Sequence, residues 1–155
     1  MTTTDPKVLH SRSGQNERAI RGVHAQLYLT EAPAGNTANL NKALTGLTLT
    51  ANGDYYCLIP TSGLTGTLTL YLTATLDSMT CTPTLDALAE FNPRATDISA
   101  ATVLTTSADD GTGLTTTVES IVTLAIAGAT YARLKLVLGG TPTSVIFTRS
   151  EYTCL

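Results

Sequence analysis

Residues 66–76, GTLTLYLTATL, alternate without a break. Leu68, Leu70, Leu72, Ala74 and Leu76 fall on one side of an extended chain, and Thr67, Thr69, Tyr71, Thr73 and Thr75 on the other. A helix would scatter these leucines around its axis, whereas a strand turns successive side chains to opposite faces and collects them on one. β-Branched threonine on the solvent side suits a pleated surface. Threonine dominates the polar surface of the whole chain: 31 of the 155 residues are Thr, against 21 charged residues. Only eight residues are Glu or Lys, which excludes a coiled coil or long-helix protein. A hydrophobic content of 43% with a net charge of −3 excludes a chain too polar to bury a core.

The period of two recurs along the sequence. In 23–30, Val23, Ala25, Leu27 and Leu29 share a face; in 116–126, Val118, Ser120, Val122, Leu124 and Ile126 do so. In 131–138, Ala132, Leu134, Leu136 and Leu138 point inward, with Tyr131, Arg133 and Lys135 outward. Residues 47–60 read as two strands joined at Asn52-Gly53, a strong hairpin signal. Gly139-Gly140-Thr141-Pro142 reads as a turn before a last strand over about 143–153. Two short helical pieces are expected: one turn in 37–44 with Thr37 as N-cap, and 84–92 with Pro93 as its stop. Residues 106–114 read as a loop. Roughly eight strands with turn signals between them predict an all-β protein, an antiparallel β-sandwich of jelly-roll or immunoglobulin-like order. The Cys–Trp–Cys signature of antibody domains is absent, because the chain has no Trp.

Residues 1–22 differ from the rest. They hold four of the nine basic residues, Lys7, Arg12, Arg18 and Arg21, with few apolar anchors. They are read as an extended basic arm, an electrostatic tether to an acidic partner, and 23–155 as a single sandwich domain. No apolar leader pattern and no stretch long enough to span a bilayer is visible, so a cytosol-like site of synthesis is expected. With a sequence pI near 5.2, no global field attracts nucleic acid.

Three cysteines, Cys57, Cys81 and Cys154, form no C-x-x-C and no zinc set with the two histidines. They read either as buried thiols or as a source of inter-subunit disulfides, with Cys154, next to the last residue, the first candidate. There is no P-loop and no G-x-S-x-G elbow. His10 and His24 lie at the N-terminal end, away from a nucleophile context, so no catalytic residue is assigned and no enzyme, metal or cofactor is expected. Asp109-Asp110-Gly111 lacks EF-hand spacing and reads as a solvated turn. Tyr55-Tyr56 is a candidate stacking platform for a sugar or base, with at most one ring free. Whether Glu119 and Glu151 approach each other depends on strand register.

TTTVESIVTLAI (115–126), AGATYARLKLVLGG (127–140) and PTSVIFTRSEYTCL (142–155) resemble the small β-sandwich virion proteins of tailed bacteriophages, in which strands of the flavour AG-x-x-YARLKL and F-T-R-S-E are common. The resemblance covers about residues 115–155 and carries over no site residue. It implies a capsid decoration, or cement, protein on the virion exterior, made in the host cytoplasm. Its partners would be the major capsid protein and copies of itself, a trimer by expectation, with neither nucleic acid nor membrane. The alternative is a carbohydrate- or receptor-binding module of a fibre, neck or tail.

Overall fold

The computed structural model describes residues 25–154 apart from 63, 65, 109–113, 116–118 and 127, with backbone alone at 108 and 141–143. Its strands are β1 (Ala25–Gln26), β2 (Thr48–Leu49), β3 (Gly53–Pro60), β4 (Thr67–Leu88), β5 (Val103–Ala108), β6 (Ser120–Ala125) and β7 (Tyr131–Cys154). Two 3-10 turns, Thr37–Asn39 and Ile98–Ala100, are the other regular elements among the described residues. All pairings are antiparallel, so the predicted all-β class is observed.

β4 and β7 organise everything else. They pair with each other from Leu68↔Cys154 to Ala87↔Ala132. The far edge of β7 takes β1, β2 and β3 in turn, and the far edge of β4 takes β6 and β5. Both long strands bend midway. In β4 the buried positions that face the main core are Leu68, Leu70, Leu72 and Ala74, then Met79, Cys81, Pro83, Leu85 and Ala87. The inward phase therefore slips by one residue at Ser78, whose φ is 59°. A register shift between Asp77 and Met79 marks the bulge, the device by which a strand takes an extra residue and turns a corner. Opposite it, Met79 pairs with Gly140, at φ 94°.

Cut at these bends, the long strands supply four segments, which with β1, β3, β5 and β6 make eight. Numbered along the chain, they run 1-8-3-6 in one half and 2-7-4-5 in the other. This is jelly-roll strand order, so the choice the sequence left open falls to the jelly roll. One continuous core fills the space between the halves. Leu68, Leu70, Phe147 and Tyr152 come from the first, and Tyr55, Cys57, Leu85 and Leu134 from the second.

Several local expectations are corrected, among them the loop read over 106–114, of which residues 106–108 are the end of β5. Asn52-Gly53 makes no hairpin: β2 and β3 do not pair with each other but lie in sequence along β7. The Asn52 side-chain amide donates to the Gly140 carbonyl at 3.0 Å. Gly139–Pro142 is no chain-reversing turn but the bend within β7. Residues 84–88 of the predicted helix are the end of β4. Here Leu85 and Ala87 enter the main core while Leu88 joins a second cluster with Tyr56 and Ile98. A strand buried on both faces loses its alternation, and the continuous apolar run imitates a helix. The turn expected in 37–44 is found as Thr37–Asn39, with Asn36 rather than Thr37 at its N-cap.

Candidate functional site

The second cluster lies on the outer face of the β3–β7–β4–β5 half, under residues 89–102. Register explains its polar centre. Leu58 pairs with Arg133, Arg133 with Asp86, and Asp86 with Thr106, so these four form one cross-strand row. Arg133 faces away from the main core as the alternation predicts, yet it is buried, because the 89–102 segment covers it. Its Nε donates to Asp86 Oδ2 at 2.7 Å. Thr106 Oγ1 donates to Asp86 Oδ1 at 2.7 Å. Arg133 Nη1 donates to the carbonyls of Ile98 and Ser99, and the guanidinium lies 5.3 Å from the centre of the Tyr56 ring.

The same 3-10 turn is held from its other end. Residues 30–31 run along the free edge of β3, where Thr30 and Glu31 amides donate to the Tyr56 carbonyl and the Tyr56 amide donates to Glu31. This places the Glu31 carboxylate at the turn, where it accepts from the amides of Ile98 (2.7 Å) and Ser99 (2.9 Å). Asp97, the N-cap residue, makes no side-chain cap bond. Glu31 therefore caps the turn from another part of the chain, and Arg133 binds its carbonyls.

Between these elements lies an open groove of about 610 Å3, lined by Thr30, Glu31, Ala32, Pro33, Leu40, Gly53, Asp54, Tyr56, Asp97 and Ser99. Its floor is partly apolar and its rim carries three carboxylates. Asp54 has Lys135 Nζ at 3.6 Å, and Asp97 is exposed with no side-chain partner among the described residues. Gly53 closes one end: it sits at φ +133°, and a Cβ there would lie 2.7 Å from Pro33 Cγ. No histidine or cysteine lines the groove. Among the described residues no three His, Cys, Asp or Glu side chains are grouped to hold a metal ion.

The predicted site residues fall elsewhere. Lys7, Arg12, Arg18 and Arg21, both histidines and Asp109-Asp110 lie outside the described residues. Cys57 (β3), Cys81 (β4) and Cys154 (β7) are buried, and none of them is in a disulfide. Burial pushes the Cys57 and Cys81 thiols up to about 12 and also raises Cys154. A thiol held protonated is a poor nucleophile for disulfide exchange, so a crosslink between intact folds requires one of them to come out of the core. The tyrosine platform is corrected: neither ring is free. Tyr55 is fully buried in the main core, its hydroxyl donating to the Ala51 carbonyl at 2.7 Å, and Tyr56 is covered by Arg133. Glu119 and Glu151 do converge, on Arg149 between them, at 3.0 and 3.4 Å. That guanidinium stacks 4.8 Å from the Tyr71 ring centre.

Glu31, Asp54, Asp86, Asp97 and Arg133 were not singled out by sequence. The outward placement of Arg133 was readable; its partners depend on register and on a covering loop, which leave no local mark. Comparison of the chain with protein-family models, with curated proteins and with solved structures finds no match.

Proposed function

We propose that this chain is a structural protein of a phage virion, a capsid decoration protein that binds coat subunits of the assembled head, with residues 1–22 as a basic tether. The observation that carries the reading is a jelly-roll body behind a basic N-terminal stretch. Jelly rolls recur in viral capsid and lectin domains, an analogy of fold rather than of site. The resemblance of residues 115–155 to small virion proteins points the same way, and this stretch supplies β6 and the central strand β7. The glycan-binding alternative loses its aromatic platform, since Tyr55 and Tyr56 are both covered.

Many weak tethers on one shell hold through avidity even when each is weak alone. Deleting residues 1–22 is therefore expected to lower occupancy on purified particles at least about tenfold, while far-UV circular dichroism keeps its β signature. Unchanged occupancy of the folded, truncated protein overturns the tether.

A further inference from the structure

We infer that the groove beside β3 is the docking site for the chain's own basic arm, residues 1–22. The inference rests on reading that stretch as an arm; it does not depend on the virion assignment.

Charge is divided between the two parts. Residues 1–22 carry four basic and two acidic side chains, and residues 23–155 carry five basic and ten acidic. Three of those ten acids, Glu31, Asp54 and Asp97, line one groove. Asp97 has no side-chain partner there among the described residues, and Asp54 shares only Lys135 at 3.6 Å. Glu31 gives both oxygens to backbone amides, which leaves its negative charge in place. Arg133, which reaches the turn carbonyls, has its guanidinium engaged by them and by Asp86, and no basic side chain is among the groove's lining residues. The groove therefore keeps a net negative rim around Ala32, Pro33 and Leu40. The arm offers the complement: Arg18 and Arg21 flank Ile20, two planar forks suited to carboxylates with an apolar side chain between them.

The tether is short enough to favour the same chain. Ala25 opens β1, and Thr30, the first groove residue, is five residues further on; that stretch spans at most about 18 Å. Arg21 and Arg18 lie four and seven residues before Ala25 and reach about 14 and 25 Å from it when extended, so the segment around Arg18 and Ile20 can fold back to the near end of the groove. A short tether gives an effective concentration on the order of millimolar, above that of any second copy in dilute solution. Under the proposed virion role, which the docking itself does not need, the coat would compete with the groove for one arm, and binding to a particle would release it.

The test is limited trypsin digestion of the full chain, following cleavage at Arg12, Arg18 and Arg21 by mass spectrometry, with a short arginine peptide in the same tube as standard. Cleavage relative to the standard is expected to be about fivefold or more slower at low salt, and the protection lost at about 0.5 M salt, where charges are screened within a few ångströms. The double variant Asp54→Asn/Asp97→Asn is expected to lose it at low salt. So is Arg18→Gln/Ile20→Ser, followed at Arg12 and Arg21, which leaves the folded body untouched. An arm cut at the standard's rate at low salt overturns the inference, as does protection that survives both variants. Protection that grows with protein concentration assigns the groove to a neighbour's arm and overturns the same-chain docking. Loss of particle occupancy on arm deletion is read separately, so either idea can fail alone.

Discussion

Arg133 meets three kinds of partner from one position on β7: the Asp86 carboxylate, the turn carbonyls and the face of Tyr56. The Arg133–Asp86 pair is almost fully enclosed, with side-chain exposures of 10% and 5%. Removing one member of a buried pair leaves the other charge without compensation, at a cost of about 3–5 kcal/mol. Arg133→Met is therefore expected to lower the melting temperature by about 10 °C, and adding Asp86→Leu to restore much of it; a double variant as unstable as the single one would show that the turn contacts, not the ion pair, matter. The buried thiols set a second residue-scale expectation. Cys57 and Cys81 keep their protons up to about 12 in the fold, whereas an unfolded thiol releases its proton near 8.5. The native state thus binds more protons between those values, and stability falls as pH rises through that window. The slope is about 1.4 kcal/mol per pH unit for each thiol. The urea midpoint is expected to hold steady to about pH 8 and to fall above it, less steeply in Cys57→Ala/Cys81→Ala; equal slopes would mean that the thiols are not buried.

At the scale of elements, the bends in β4 and β7 carry the architecture. Gly140 sits at φ 94°, and a Cβ there would lie 2.9 Å from the Ser78 carbonyl oxygen. Any side chain meets both a disfavoured backbone region and a fixed neighbour, so Gly140→Ala is expected to cost about 1–3 kcal/mol in urea unfolding. Gly128, at φ 79° with open space around it, is the control: Gly128→Ala carries only the backbone term. These bends also mark where sequence reading succeeds and fails. The inward sets Leu68–Ala74, Val122–Ile126 and Ala132–Leu138 were legible, because one face of each strand is apolar and the period is two. The slip of phase at Ser78 was not read from the sequence, because a break in alternation looks the same whether the strand ends or bulges. Asn52-Gly53 and Gly139–Pro142 carry genuine turn chemistry, used here to bend strands along a partner rather than to reverse them. The groove was illegible because its walls come from residues 30–33, 53–56 and 97–99, brought together by the Tyr56 edge bonds and the Glu31 cap.

At the scale of the molecule, β4 and β7 run through both halves, and one hydrophobic core joins them. Neither half can melt without pulling its long strands out of the other, so unfolding is expected to be a single cooperative step. The chain has no Trp, but its thiols report on each half separately. Cys154 lies in the β1–β7–β4–β6 half, while Cys57 and Cys81 lie in the β3–β7–β4–β5 half. All three are buried and outside any disulfide, so each reacts with a thiol reagent only when its surroundings open. Across a urea series, labelling of the three, resolved by peptide mass spectrometry, should rise together and coincide with loss of far-UV circular dichroism. Early labelling of Cys154 alone would mean that the β1–β7–β4–β6 half opens first and gives that thiol a route out of the core. Coincident labelling would mean that any disulfide made by these thiols forms only at the cost of the jelly roll itself.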